Sequence, residues 1–208
     1  MAYTIYGAKG SSNFTVEAAL AEAGAEYDFV NVSLGDNEQL SDSFAAINPT
    51  RKIPALKLPT GEIVTESAAI LLTLADRNPK AGLLPPQGSA ARAMAYRWIA
   101  FLASEIYPIV EIEDYPERFT PDESLAPKVR DIARERLRDR FLILERAIAG
   151  DPWILPSGFN IADIYAANLT RWSVGKEWRA KHCPKIEKLA AGVAARPKIA
   201  PVWARHFG

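Results

Sequence analysis

The chain has 208 residues, room for one large domain or two small ones, and its 25 Lys and Arg balance 25 Asp and Glu. That balance gives no electrostatic case for nucleic acid or an anionic membrane as a partner. A single cysteine, Cys183, rules out an internal disulfide; the N-terminus carries no secretory signal pattern and no apolar run nears the ~20 residues of a membrane span, so a soluble, cytoplasmic protein is expected.

Residues 1–76 alternate between strand and helix patterns. "YTIY" (Tyr3–Tyr6) is a short β-rich run. In "FTVEAALAEAG" the apolar Phe14, Val16, Ala19, Leu20 and Ala23 recur at helical spacing, and Gly24 is a helix stop. "YDFVNV" alternates as a strand does, and "EQLSDSFAAI" carries Leu40, Phe44 and Ile47 on a helix. "PALKL" and "EIVTE", joined by Pro59–Gly61, read as a hairpin, and "ESAAILLTLAD" closes the half with a helix. The order β-α-β-α-β-β-α predicts a small mixed sheet with helices packed on it.

The segment "RNPKAGLLPPQG" is rich in Pro, Gly and Lys, and its double proline ends any helix. The expected division is a first domain over 1–77, a linker over 78–88 and an all-helical domain over 89–208. In "SAARAMAYRWIAFLASEIYPIVEIED" a long helix shows Met94, Trp98 or Ile99, Leu102 and Ile106 on one face, with Pro108 kinking or ending it. "APKVRDIARERLRDRFLILERAIAG" places Val129, Ile132, Leu137, Phe141, Leu144 and Ile148 on a helical stripe that stops at Gly150. "NIADIYAANLTRW" and "KIEKLAAGVAAR" are two further helices.

Several chemistries are not encoded. There is no phosphate-binding G-x-x-x-x-G-K-[ST], no G-x-G-x-x-G after the first strand and no H-E-x-x-H. His182 and His206 sit near the C-terminus in a basic setting, so neither a metal site nor a Ser–His–acid triad is expected. Asp131, Glu135 and Asp139 are interspersed in the Arg-rich run "RDIARERLRDR", which reads as a solvated face laced with local ion pairs.

Two stretches carry the remaining candidates. "GAKGSSNF" is a Gly-rich turn that brings Ser11, Ser12 and Asn13 to the start of the first helix, where such residues also serve as caps. "NPTRKIPALKLPTGEIVTES" holds a proline inside a strand-like run and sets an acid and a hydroxyl at a helix start. With the Pro-rich linker and "GFNIADIYAANL" in the same order, the whole chain resembles the glutathione transferase family.

The resemblance implies a two-domain α+β fold: a thioredoxin-like βαβαββα domain followed by an all-α domain. It implies that Pro54 is a cis-proline that turns the N–H and C=O of Ile53 toward the cysteinyl backbone of glutathione. Ser67 and the helix N-terminus would hold the γ-glutamyl carboxylate, with Glu66 toward its ammonium and Lys52 and Arg51 beside the glycyl carboxylate. Relatives commonly have Gly-Lys or Gly-Gln where this chain has Arg51-Lys52. For the thiol, the resemblance ranks Ser11 first, then Asn13 and Ser12. Tyr107, Tyr115 and Trp172 are the candidates for an electrophile pocket between the domains, whereas Tyr96, Trp98 and Phe101 are weighed as core. "NIADIY" resembles the family's buried capping motif, with Asn160 as N-cap and Asp163 three residues on.

The implied activity is conjugation of glutathione, as co-substrate, to small apolar electrophiles, by a homodimer without a metal. A glutathione-dependent isomerase or dehalogenase, or a non-catalytic glutathione-binding module, are the alternatives. Against the zeta-type isomerase pattern, Asn13 stands where that pattern has a cysteine, and Val16 and Glu17 lie near where its arginines would be.

Overall fold

The computed structural model describes residues 2–172 and 174–208. It divides into two compact units, Met1–Leu84 with Ala194–Gly208, and Pro85–Val193.

In the first unit, β1 (Tyr3–Gly7), β2 (Tyr27–Asn31), β3 (Ala55–Lys57) and β4 (Ile63–Thr65) form one sheet in the order β2-β1-β3-β4. β1 pairs parallel with β2 and antiparallel with β3, and β3 pairs antiparallel with β4. The crossover from β1 to β2 is α1 (Asn13–Ala23), which ends at Gly24 with φ 65°, a left-handed turn that glycine adopts without steric cost. The β3–β4 turn closes with Gly61 N–H donating to Leu58 O at 2.9 Å. The short α2 (Asp42–Ala45) is capped by Ser41, and α3 (Ser67–Arg77) follows β4 directly. Ile5, Phe14, Leu20, Leu56, Ile70, Leu71 and Leu74 are fully buried. Each such side chain contributes about 1.5–3 kcal/mol of transfer free energy.

The sheet and its helices follow the expected thioredoxin-like order, and the second unit is all helical. The C-terminal boundary differs from the expectation that 89–208 forms one domain. The last helix, α10 (Ala200–Phe207), packs on α1 and belongs to the first unit. The reason is aromatic: Phe14 of α1 meets the rings of Trp203, His206 and Phe207 at centroid distances of 5.2, 5.7 and 5.1 Å.

The second unit contains α4 (Ala90–Phe101), α5 (Tyr107–Asp114), α6 (Ala126–Ala147), α7 (Ile161–Leu169), α8 (Lys176–His182) and most of α9 (Pro184–Ala194). The long helix expected over 89–114 is interrupted by a π-helical turn over Leu102–Ile106, just before Pro108. Two stripe assignments shift. Met94 and Ile132 are 45% and 54% exposed, and the buried faces run instead through Ala95, Trp98, Ile99, Leu102 and Ile106, and through Ala133, Leu137, Phe141 and Leu144. Gly150 is not a left-handed cap. A Cβ there would stand 2.4 Å from Leu155 O, so glycine is needed for close backbone packing. Asn160 and Asp163 form a reciprocal capping box at the start of α7.

Candidate functional site

The sheet register brings the candidate residues of the first unit into one row. Tyr6 of β1 pairs with Ala55 of β3, and Ala55 pairs with Thr65 of β4. The loop after β1 (residues 8–12), the Ile53–Pro54 step before β3 and the Glu66–Ser67 step after β4 therefore emerge at the same end of three adjacent strands. At about 4.8 Å per strand, the row spans roughly 10 Å.

Pro54 follows a cis peptide bond. Asn48, buried at 2% exposure, shapes the approach to it: its Nδ2 donates to Lys52 O at 2.6 Å and its Oδ1 accepts from Thr50 N–H at 3.1 Å and Thr50 Oγ1 at 2.9 Å. Ile53 O accepts from Ser12 Oγ at 3.2 Å, which ties the β1 loop to the cis-proline step. The Ile53 N–H makes no hydrogen bond among the described residues.

Glu66 sits at φ 67°, in the left-handed region that favours glycine, at a cost of about 1–3 kcal/mol. This turn ends β4 abruptly and starts α3 at Ser67. Ser67 is 8% exposed, and the first amides of α3 face outward along its axis with the positive end of the helix dipole. The Glu66 carboxylate is exposed and does not cap the helix. Arg51, also at positive φ, places its guanidinium on Asp42 at 2.9 Å, an exposed pair worth about 0–1 kcal/mol. The exposed Lys52 flanks it.

The three thiol candidates fall in different environments. Ser11 is half-buried; its Oγ donates to Ala8 O at 2.7 Å and accepts from Asn13 N–H at 3.2 Å. Ser12, 2% exposed, is turned to Ile53. Asn13 is fully buried: its Nδ2 donates to Glu17 Oε1 at 2.9 Å, and its Oδ1 lies where a Cβ on residue 7 would come within 2.1 Å. Gly7 is therefore required by the Asn13 side chain.

Behind this loop is a buried cluster that sequence reasoning missed. Glu17 is 1% exposed and accepts from Asn13 Nδ2, from His206 Nε2 at 2.7 Å, from Tyr27 OH at 3.0 Å and from Arg205. Burial pushes the Glu17 carboxyl upward, but the His206, Arg205 and Tyr27 partners outweigh it and hold the group below its ordinary range. Burial and the Glu17 charge push the Tyr27 phenol up. His206 Nδ1 in turn accepts from Gly10 N–H at 3.1 Å. A charged residue in the middle of an apolar helix pattern was the only sequence signal; apart from Asn13, four positions before it, its partners lie 10 to 189 positions away.

In the second unit, Tyr107 and Trp172 meet edge to face at 6.2 Å, with Tyr165 6.4 Å from Tyr107. Tyr115 lies 45% exposed with the Arg118 guanidinium 4.0 Å from its ring centre. Trp98 is core at 2% exposure, and Arg97 covers its ring at 3.7 Å. Among the described residues, no cluster of His, Cys, Asp and Glu is arranged to hold a metal ion, and no helix is long and apolar enough to cross a membrane.

Comparison with known proteins agrees with this arrangement. Residues 1–76 match the model of the glutathione S-transferase N-terminal domain. The chain is 32% identical over 204 residues to an uncharacterised GST-like protein of Escherichia coli K12, YncG, covering 97% of each. It is 28% identical over 193 residues to the glutathione S-transferase GstA of Escherichia coli O157:H7, covering 91% of this chain and 92% of that one. A crystal structure of a glutathione transferase homologue from Sulfitobacter, with bound glutathione, superposes with a TM-score of 0.89 at 28% identity, covering 98% of this chain and 97% of that one. On these grounds the chain belongs to the glutathione S-transferase family.

Proposed function

We propose that this protein is a glutathione transferase that binds glutathione across the row of groups at the end of the first unit's sheet and adds its thiolate to small apolar electrophiles. The observation that carries the reading is the convergence of three unlike donors on one edge: the Ile53 N–H, the N-terminus of α3 with Ser67, and the Ser11 hydroxyl. They match, in order, a peptide backbone, a carboxylate and a thiolate. The Ile53 N–H adds one backbone pairing to the cysteinyl residue. The α3 amides and Ser67 receive the γ-glutamyl carboxylate, and the exposed Glu66 carboxylate lies beside its ammonium. Lys52 takes the glycyl carboxylate; Arg51, engaged with Asp42, is a secondary candidate.

For the thiol, the burial pattern favours Ser11. Asn13 is enclosed and committed to Glu17, and Ser12 is committed to Ile53 O. Ser11 hydroxyl rotation away from Ala8 O frees a donor for the sulfur. A free thiol with pKa about 8.5 is roughly 3% ionised at neutral pH; two units of depression make it about three-quarters thiolate and require about 2.7 kcal/mol. One hydroxyl donor together with the dipole of α1 is of that size. The proposal includes the family's homodimer and a cytoplasmic site of action.

The test is calorimetric titration with glutathione of the native chain and of Ser67→Ala, together with conjugation assays on a panel of apolar electrophiles. A hydrogen bond to a charged group is worth roughly 1.5–3 kcal/mol, so the substitution should weaken binding about 10- to 150-fold. No heat from the native chain at millimolar glutathione would refute glutathione binding. Unchanged affinity in Ser67→Ala would place the carboxylate elsewhere.

A further inference from the structure

We infer that His206, in the last turn of α10, is a positioning residue for the thiol-activating loop: its Nδ1 ties Gly10, the residue before Ser11, to α10, while its Nε2 bond to the buried carboxylate of Glu17 sets the tautomer that leaves Nδ1 an acceptor. The inference rests on the glutathione reading above and assigns a role to the C-terminal helix within it.

The imidazole is 1% exposed and makes a different bond at each nitrogen. Nδ1 stands 3.1 Å from Gly10 N, and a backbone N–H can only donate, so Nδ1 is the unprotonated acceptor. The ring proton is then on Nε2, directed at Glu17 Oε1 at 2.7 Å. Glu17 is itself fixed by Tyr27, Arg205 and Asn13. The imidazole therefore holds the half-buried Gly10 amide against α10 with one nitrogen and meets the buried Glu17 of α1 with the other.

The loop needs such an anchor. Gly10 is at φ 76°, a turn open to glycine but little populated by other residues, and glycine is also the residue with most freedom to lose. Around Gly10 and Ser11 the other fixed contacts are local: Ser11 N–H and Ser11 Oγ to Ala8 O, and Asn13 N–H to Ser11 Oγ. These set the shape of the turn, and Ser12 Oγ, donating to Ile53 O at 3.2 Å, fixes its far end against the cis-proline step. The tether through His206 spans 196 positions and does so one residue from the proposed thiolate partner.

α10 and the residues just before it have anchors that do not involve His206. Arg196 makes a two-point contact with Glu22 at 2.6 and 3.0 Å, Lys198 Nζ donates to Glu22 O at 2.8 Å, and Trp203 and Phe207 pack on Phe14. Substitution of His206 should accordingly loosen the loop without releasing the helix.

Two variants separate the two bonds. In His206→Asn the amide oxygen takes the place of Nδ1 and can accept from Gly10, while the link to Glu17 is out of reach. In His206→Gln the amide nitrogen takes the place of Nε2 and can donate to Glu17, while the acceptor for Gly10 is lost. Three quantities are read in the full chain: hydrogen exchange of the Gly10 amide, kcat and KM for glutathione, and the pH at which bound glutathione ionises, followed by thiolate absorbance. His206→Gln is expected to lose Gly10 protection, to ionise the thiol about one pH unit higher, and to lower kcat about ten- to a hundred-fold, the cost of a misplacement near 1 Å. Its KM should stay near that of the native chain. His206→Asn should keep Gly10 protected and the ionisation pH unmoved.

Equal losses in the two variants, or none in either, would overturn the inference. So would an unprotected Gly10 amide in the native chain, a result independent of glutathione. If the native chain does not bind glutathione, the functional reading falls and the role at the thiol with it, whereas Gly10 exchange still reports whether the tether exists.

Discussion

Replacing Glu17 with glutamine keeps the shape of a buried side chain and removes its charge. The native carboxylate faces four donors: Asn13 Nδ2, His206 Nε2, Tyr27 OH and Arg205. A glutamine amide offers one acceptor oxygen and turns a donor toward the remaining groups. Arg205 is half-exposed and counts for about 0–1 kcal/mol. The loss of a charged acceptor for the enclosed donors is the larger effect, at about 1.5–3 kcal/mol per bond. With His206 and Tyr27 as the enclosed donors that lose most, the expected total is about 3–5 kcal/mol. At about 2–4 °C per kcal/mol for a chain of this size, the melting temperature should fall by roughly 6–20 °C. The pH dependence has a definite sign. The native-state pKa of Glu17 is held below 4.5, so the unfolded chain binds this proton more readily. The contribution is fully present above the ordinary carboxylate range and is lost as pH falls through the lower native value. Denaturant unfolding of both proteins at neutral and acid pH measures this directly. The gap between them should be widest near neutrality and should narrow in acid. A neutral-pH loss under about 1 kcal/mol, or a gap that stays constant into acid, would refute the reasoning.

Asp163→Ala should cost more than the ~1 kcal/mol of a single cap, because Asp163 accepts from Ile154 N–H at 2.8 Å, Asn160 N–H at 2.8 Å and Asn160 Nδ2 at 3.1 Å in a fully buried site. With two buried amides left unpaired at about 1–3 kcal/mol each, a loss of about 2–6 kcal/mol is expected in denaturant unfolding, with glutathione affinity unchanged in the folded protein. Cys183 is fully buried, and burial and then the Glu145 charge push its thiol up to about 12. It should resist a thiol reagent in the native chain at mildly alkaline pH and react fully once unfolded; rapid native reaction would show that the site opens. Ser11→Ala should leave glutathione binding largely intact and move the pH–rate profile for conjugation upward by about one to two units, the stabilisation assigned to it. If that profile is unmoved while Ser12→Ala shifts it, the thiolate partner is Ser12.

What the sequence determined by itself was whatever is carried by neighbours along the chain. Gly24 ends α1 because a left-handed residue closes a helix from within five positions, and the capping box at Asn160 and Asp163 is written three residues apart. The β-α-β-α-β-β-α order and the length of α6 follow from local periodicity in the same way. Pro54, Glu66 and Ser67 were legible as a group only through the family resemblance, and the short β3–β4 hairpin turns their separation in sequence into adjacency in the sheet. Tertiary structure alone decided the rest. Periodicity shows that a helix has an apolar stripe but not where its centre lies, and packing turned Ile132 and Met94 outward in favour of Ala133 and Ala95, whose small side chains allow close helix contact. Glu17 read as one more charge in α1 until α10 folded onto it. Its stability depends on donors from the far end of the chain, and a buried charge is tolerated only when such donors are in place. Nothing local in "RHFG" marks His206 as the partner of Gly10; that pairing exists because the rings of Trp203 and Phe207 pack on Phe14 and Arg196 and Lys198 hold Glu22.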